Sequence, residues 1–122
     1  MRRFTMNGYS WRVCFVNPDD PMLVDRTGVL RVATTDPQSL CVYISNKLTG
    51  DFLTRVTIHE LGHCAIYSFG LADDIHRMTY PAYWIEAEEW VCNFIADYAL
   101  SIFEAGHCIL DQIPCEIERL IA

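Results

Sequence analysis

The sequence lacks a long apolar run and has no excess of basic residues, and each absence excludes a class of protein. Its apolar runs are far shorter than the roughly 20 residues that a membrane-spanning helix requires. Nine basic residues stand against sixteen acidic ones, so the net charge is −7. Nucleic-acid-binding proteins present a basic face to phosphates. We therefore expect neither a membrane nor a nucleic acid as a partner.

The six cysteines lack a paired spacing. They stand at positions 14, 41, 64, 92, 108 and 115, with no C-x-x-C pair among them. The segment Met1–Phe4 is not followed by the apolar stretch and small-residue cleavage site of a secretory signal. Without an export signal, cysteines are most simply reduced, small apolar residues. We therefore expect a cytoplasmic protein with six free thiols.

Length and pattern predict one α+β domain that spans residues 1–122. The chain is 52% hydrophobic, with no internal repeat, linker or low-complexity tract. Strand-like alternation comes first and helical spacing follows, which is typical of a small antiparallel sheet followed by two long helices. The predicted strands are 9–16, a hairpin over 22–33 with Gly28 in its turn, and 40–45. The first eight residues carry little pattern.

The helical half is divided by glycines. A first helix is predicted between the possible N-cap at 49–51 and a C-cap at Gly70, then a loop over 71–83 with a short helical turn. A second long helix is predicted from Trp84 to about Phe103, with Gly106 ending it, and a short closing helix over 109–121.

The first helix carries His59-Glu60-Leu61-Gly62-His63, a His-Glu-x-x-His motif. Residues i and i+4 share one helix face, so His59 and His63 can present two imidazoles to one metal ion. Glu60 then lies beside the metal, where it can take a proton from a water molecule. The alternative is an ordinary polar patch on a helix. Gly62 costs roughly 1 kcal/mol in a helix relative to alanine, which predicts close approach of another segment.

A catalytic zinc site needs a third protein ligand, and the second long helix offers candidates. At 100° per residue, six polar side chains fall within about one third of the circumference, whereas Glu88 lies elsewhere. The six are Glu86, Glu89, Asn93, Asp97, Ser101 and Glu104. Glu86, Glu89 and Asn93 lie at one end of this stripe. The alternative is that the stripe is simply the solvated face of an amphipathic helix.

Two segments together resemble the ImmA/IrrE-type metallopeptidase family, a small gluzincin group with the pattern HE-x-x-H and then E-x-x-A-N-x-F-A. The first is the motif at 59–63, and the second is Glu89-Trp90-Val91-Cys92-Asn93-Phe94-Ile95-Ala96, which begins 26 residues after His63. Cys92 and Ile95 replace the family's alanine and phenylalanine, and the Leu-Met-Pro that commonly follows is absent. The resemblance covers roughly residues 9–100 and implies a minimal gluzincin-like fold.

The resemblance assigns roles residue by residue. It makes His59, His63 and Glu89 the ligands of one zinc ion per chain, and Glu60 the general base. Asn93 would orient a ligand histidine by a hydrogen bond. Glu86, on the same face, is the fallback for the third ligand.

The function expected is a zinc-dependent peptidase of narrow specificity that acts on a protein or peptide. As the resemblance implies, the substrate would be a regulator such as a repressor in prophage or stress control. Tyr80, Tyr83 and His76 are candidate donors to the transition state. The strand at 40–45 is a candidate for pairing with substrate if it lies at the sheet edge.

Two alternatives stay open. One is a non-catalytic, toxin-like or regulatory binding module that keeps the gluzincin fold. The other is a structural zinc domain, against which the absence of a convincing fourth ligand speaks, because structural sites are closed. The sequence leaves the oligomeric state undetermined.

Overall fold

Short extended segments fill the first third of the chain and helices fill the rest, as a computed structural model that describes residues 2–112 shows. The strands are β1 Arg2–Met6, β2 Tyr9–Val16, β3 Ala33–Asp36 and β4 Cys41–Ser45. The helices are α1 Gly50–Ser68, α2 Ala72–His76 and α3 Trp84–Leu110, with single 3-10 turns at Pro21–Leu23 and Pro81–Tyr83. The α+β class and the two long helices are confirmed.

The first residues form a strand, although their sequence shows little alternation. β1 pairs antiparallel with β2, and Asn7 and Gly8 form the turn between them with φ values of 48° and 84°. An Asn-Gly pair in the left-handed region is the typical two-residue hairpin turn. The Asn-Gly dipeptide at positions 7 and 8 is therefore the sequence signal for this hairpin.

The sheet is mixed, so the prediction of a wholly antiparallel sheet was wrong in this detail. Its strand order is β1-β2-β4-β3. β4 runs parallel to β2 and antiparallel to β3. The reason is topological: residues 17–32 begin and end at the same end of the sheet, because Val16 is level with Ser45 and Ala33 with Ile44. β3 then carries the chain back to the other end, so β4 runs in the same direction as β2. β3 is therefore an edge strand, and β4 lies inside the sheet.

The hairpin predicted over 22–33 is largely replaced by an irregular loop. A single bridge, between Val24 and Leu30, is all that remains of the predicted ladder. Asp25 organises the loop instead, because its Oδ1 accepts from the backbone N–H groups of Thr27 (2.8 Å) and Val29 (3.1 Å). Gly28 does occupy the turn, with φ of +82°. A side chain that bonds its own backbone competes with regular pairing.

The hydrophobic core lies between one face of the sheet and α1. Trp11 of β2 and Ile44 of β4 are completely buried there, with Val42 and, from α1, Val56 and Cys64. The indole Nε1 of Trp11 donates a hydrogen bond to Ser68 Oγ (2.9 Å) and so attaches the sheet to the end of α1. α1 is thereby fixed with one face towards the sheet and another free to meet α3.

α1 has the predicted boundaries. Thr49 occupies its N-cap position, and Gly70 follows its end with φ of +65°. A Cβ atom added at Gly62 would lie 3.1 Å from Cys92 Sγ and 3.3 Å from Cys92 Cα. The predicted close approach at Gly62 is confirmed, and the approaching segment is α3.

α3 is longer than expected. It continues through Gly106 to Leu110, so Gly106 does not end it. Gly106 has no positive φ, and a helix tolerates glycine at a cost of roughly 1 kcal/mol. Of the predicted closing helix, residues 109–110 belong to α3 and residues 113–122 lie outside the described part of the chain. Among described helices, none is long and apolar enough to cross a membrane.

The described cysteines are unpaired. Cys41, Cys64 and Cys92 are buried, Cys14 is partly buried and Cys108 is exposed. Burial raises the pKa of Cys64 and of Cys92 to about 12. These two thiols therefore act as apolar packing groups between α1 and the rest of the core, whereas Cys115 lies outside the described residues.

The contact between Gly62 and Cys92 can be tested with two matched substitutions. Gly106→Ala should stabilise the protein by up to about 1 kcal/mol, because it improves helix propensity and meets no described atom within 4 Å. Gly62→Ala gains the same propensity but crowds Cys92, so it should fall below Gly106→Ala in stability by about 1–3 kcal/mol. Urea unfolding measures both.

A double-mutant cycle isolates the contact. Cys92→Ala removes the sulfur atom that lies nearest to the added methyl group, so it should recover part of the loss caused by Gly62→Ala. Equal stability of the two glycine variants would contradict the helix packing described here.

Candidate metal centre

The two motif histidines project from one face of α1 and meet the same carboxylate of α3. His59 Nε2 lies 3.0 Å from Glu89 Oε2, and His63 Nε2 lies 3.1 Å from Glu89 Oε1. The imidazole rings are 5.0 Å apart between centroids. One carboxylate thus bridges two imidazoles that stand one helical turn apart.

Packing explains why Glu89 reaches the histidines. Glu89 stands three residues before Cys92, which contacts Gly62 between His59 and His63. The two helices run antiparallel, since Arg55, one turn before His59, bonds Asp97 further along α3. The close contact therefore sets the height at which α3 presents Glu89.

Glu60 occupies a different environment. It is 6% exposed, and its Oε1 accepts a hydrogen bond from Thr35 Oγ1 on β3 (2.8 Å). Its Oε2 lies 3.8 Å from His59 Nε2. Burial raises the pKa of Glu60, against the opposing effects of the Thr35 hydrogen bond and the two histidines. Glu60 is thus held at the wall of the site by the edge strand.

The pKa of Glu89 is shifted in the opposite direction. The hydrogen bonds with His59 and His63 hold it well below its usual range, and burial opposes them only in part. The two neighbouring carboxyl groups therefore differ: Glu89 is an ionised bridge between imidazoles, whereas Glu60 is a buried carboxyl with a greater affinity for protons.

The donor set fits a metal ion. His59, Glu60 and His63 each offer a ligand atom, and these atoms lie within 4.8 Å of one another. Glu89 lies outside that group of three, yet it is the carboxylate in contact with both Nε2 atoms. We give the contacts more weight, because one Glu60 oxygen is already bonded to Thr35. Two imidazoles and a carboxylate are typical zinc donors.

The second ring nitrogen of His59 adds an independent observation. Nδ1 is buried and has no hydrogen-bond partner among the described residues. Asn93 lies beside His59 and contributes to raising its pKa, while Asn93 Oδ1 accepts a long hydrogen bond from Arg55 Nη2 (3.5 Å). A ligand histidine usually donates its other N–H to an oxygen, and Nδ1 of His59 lacks that partner, so the contact between Nε2 and Glu89 is what orients the ring.

An open cleft of about 970 Å³ surrounds these residues. β3, the loop at 24–32, α1 and α3 form its walls, and His59, Glu60, His63, Glu89 and Asn93 all line it. The Glu89 side chain is 42% exposed. A metal at this position would be reached from solvent, unlike a closed structural site.

The remaining predicted residues lie elsewhere. Glu86 is exposed and contacts neither histidine, whereas Glu89 contacts both. Tyr80 and Tyr83 are exposed, and neither they nor His76 line the cleft. His76 Nε2 is bonded to Glu88 Oε1 (2.8 Å), and its ring stacks on Trp84. The structure thus lends no support to these three residues as transition-state donors.

The strand at 40–45 is not the sheet edge. β4 is paired on both sides, so its backbone is not free for an extended substrate, and the condition for that pairing is not met. β3 is the edge strand instead, and its residue Thr35 holds Glu60. The sequence pattern predicts no separate strand over residues 33–36, because the predicted hairpin ends at residue 33 and the next predicted strand begins at residue 40.

Sequence reasoning also missed the ion pairs that connect the cleft walls. Arg26 on the loop bonds the buried Glu88 of α3 (3.1 Å). Arg55 of α1 bonds Asp97 of α3 (2.7 Å). The partners stand 62 and 42 residues apart, and no local pattern in a single sequence indicates such pairs.

No family model, curated protein or solved structure matches this chain.

Metal affinity should depend on pH through His59. Burial opposes its charged form, but Glu89 and Glu60 outweigh burial, so the pKa of His59 is raised above 6.5. The proton therefore stays on the ring to higher pH, and a metal must displace it. Affinity should fall roughly tenfold per pH unit below that pKa, as calorimetric titration between about pH 6 and pH 8 would measure.

Proton release provides the control. Titrations at one pH in buffers of different ionisation enthalpy should show a released proton at low pH that disappears at high pH. Binding that releases no proton anywhere in this range would contradict the assignment of His59 to the site.

Proposed function

We propose that the protein is a zinc-dependent peptidase whose metal is held by His59, His63 and Glu89. The observation that carries the proposal is the convergence of both Nε2 atoms on the carboxylate of Glu89, at 3.0 and 3.1 Å, inside an open cleft. When bound, zinc lowers the pKa of water to about 7 and polarises a carbonyl group. The likeness of the motifs at 59–63 and 89–96 to the ImmA/IrrE type supports the same activity.

Glu60 is the proposed general base. Thr35 Oγ1 donates to Oε1, which leaves Oε2 as the atom that takes a proton from the attacking water and passes it to the leaving nitrogen. Burial raises the pKa of Glu60, so Oε2 holds a proton more readily than an exposed carboxylate would. A base with a pKa closer to the working pH transfers protons more efficiently in both directions.

The edge strand favours a peptide as substrate. No backbone hydrogen bond joins residues 33–36 to any described segment other than β4. An extended peptide can add to such an edge by main-chain hydrogen bonds. β3 lies beside Glu60, so a peptide bound there would run past the metal site. We expect a protein substrate of narrow specificity, such as a repressor or another regulator, met in the cytoplasm.

The competing proposal is a binding module without catalysis. The three proposed ligands and the proposed base all line one cleft, which favours the enzyme. A structural zinc domain fits less well, because the proposed ligand Glu89 is 42% exposed at the open cleft. The predictions below separate these three functions.

Zinc content tests the ligands. The purified chain should hold about one zinc ion, and the double variant His59→Ala, His63→Ala should hold none. Glu89→Ala should bind zinc much more weakly, while Glu86→Ala, the matched change on the exposed part of the same helix face, should bind it normally. Metal analysis and competition with a chelating dye measure both effects. A stronger effect at Glu86 would mean that the third ligand is misassigned.

Glu60→Gln separates catalysis from binding. The variant should keep its zinc and its fold, because a glutamine side chain can still accept from Thr35, but it should lose about 10²–10⁴-fold in turnover. A peptide library with mass-spectrometric detection of new termini provides the assay. Equal cleavage by the variant and the wild type would exclude Glu60 as the base. Absence of cleavage by a zinc-loaded wild type would favour the binding module.

A further inference from the structure

The loop before β3 carries a cation at the rim of the metal cleft. Arg31 lines the cleft together with His59, His63 and Glu89. Its Nε donates a hydrogen bond to Asp25 Oδ2 (2.7 Å), and its backbone N–H donates to Leu23 O (2.8 Å). Arg31 is therefore held at its backbone and along its side chain, unlike most half-exposed arginines.

Asp25 is a firm anchor for that side chain. Its Oδ1 accepts hydrogen bonds from Thr27 Oγ1 (2.6 Å) and from two backbone N–H groups, while Oδ2 is left for Arg31. These bonds, with Thr27 first and Arg31 second, hold the pKa of Asp25 well below its usual range. The carboxylate thus stays ionised and holds the guanidinium by one charge-assisted hydrogen bond at Nε.

The two Nη groups of Arg31 remain open. Among the described residues, Arg31 makes side-chain hydrogen bonds through Nε alone, and its side chain is 55% exposed. Arg31 and Glu89 line the same cleft, and the charge of Glu89 adds to the larger effect of Asp25 in raising the pKa of Arg31. A planar pair of open N–H groups is the shape that binds a carboxylate with two hydrogen bonds.

We propose that Arg31 determines specificity by binding a carboxylate of the substrate, next to the metal on the β3 side of the cleft. This inference rests on the proposed function. Once a metal neutralises Glu89, the open Nη groups are available to pair with an anionic group of the substrate. The carboxylate is either an acidic side chain or the free terminus of a peptide, and the two are chemically equivalent at Arg31.

Three peptide hydroxamates, which bind a catalytic metal without being cleaved, distinguish these sources. The first ends in Leu-Ala with a free carboxylate, the second is its terminal amide, and the third is the amide with glutamate in place of alanine. Zinc-loaded wild-type protein should bind the first or the third about 10- to 100-fold more tightly than the neutral second. Whichever of the two binds more tightly identifies the source of the carboxylate.

Variants of the loop test the role of Arg31. Arg31→Gln should abolish the preference for the hydroxamate that carries a carboxylate. Arg31→Lys keeps the positive charge but loses the paired N–H groups of the guanidinium, so it should keep a part of that preference. Asp25→Asn keeps the guanidinium of Arg31 but weakens the hydrogen bond that holds it in place, so it should reduce the preference. Arg77→Gln changes an exposed arginine on the C-terminal side of α2 that does not line the cleft, so it should leave the preference intact.

The test separates two kinds of failure. Zinc content, and the affinity for acetohydroxamate, which carries no carboxylate, report on the metal alone. If acetohydroxamate binds normally but the wild type shows no preference, or if Arg31→Gln keeps it, then the role of Arg31 is overturned and the peptidase proposal stands. If the zinc-supplied wild type does not bind acetohydroxamate, both proposals fail, because the carboxylate site is defined relative to the metal.

Discussion

The site depends on one close contact between two helices. Gly62 lets the backbone of α3 approach α1 so closely that a Cβ atom there would lie 3.3 Å from Cys92 Cα. Because Gly62 lies between His59 and His63, and Glu89 one turn before Cys92, this approach also sets the distance from Glu89 to both imidazoles. The same glycine that weakens α1 by roughly 1 kcal/mol is thus what allows the donors to converge.

Charged hydrogen bonds attach the loop at 24–32 and α2 to α3, outside the apolar core. Glu88, next to the proposed ligand Glu89, is bonded on one side by Arg26 of the loop and on the other by His76 of α2. The Glu88 side chain is 12% exposed, so removing both partners would leave a largely buried carboxylate without compensation. Each of these bonds therefore fixes a loop relative to α3 more than it adds net stability.

The features that could be predicted from the sequence are those that depend on residues close together in the chain. The periodicity of α1, its Gly70 end and the spacing of His59 and His63 come from helix geometry, and the close approach at Gly62 follows from the cost of glycine. The edge position of β3 and the mixed sheet could not be predicted, because strand order depends on how residues 17–32 cross the sheet. The turn at Asn7 was predictable from its Asn-Gly pair and was overlooked.

The opposite environments of two carboxylates bear most directly on function. A metal-binding helix needs only ligands, and Glu89 with its lowered pKa suits that task. Nothing about ligation requires Glu60 to be buried and bonded to the edge strand, and burying a carboxyl is costly unless it is hydrogen-bonded. A pair of titratable groups whose surroundings push their pKa values apart is typical of acid–base chemistry. The burial of Glu60 therefore supports the proposal of proton transfer over that of binding alone.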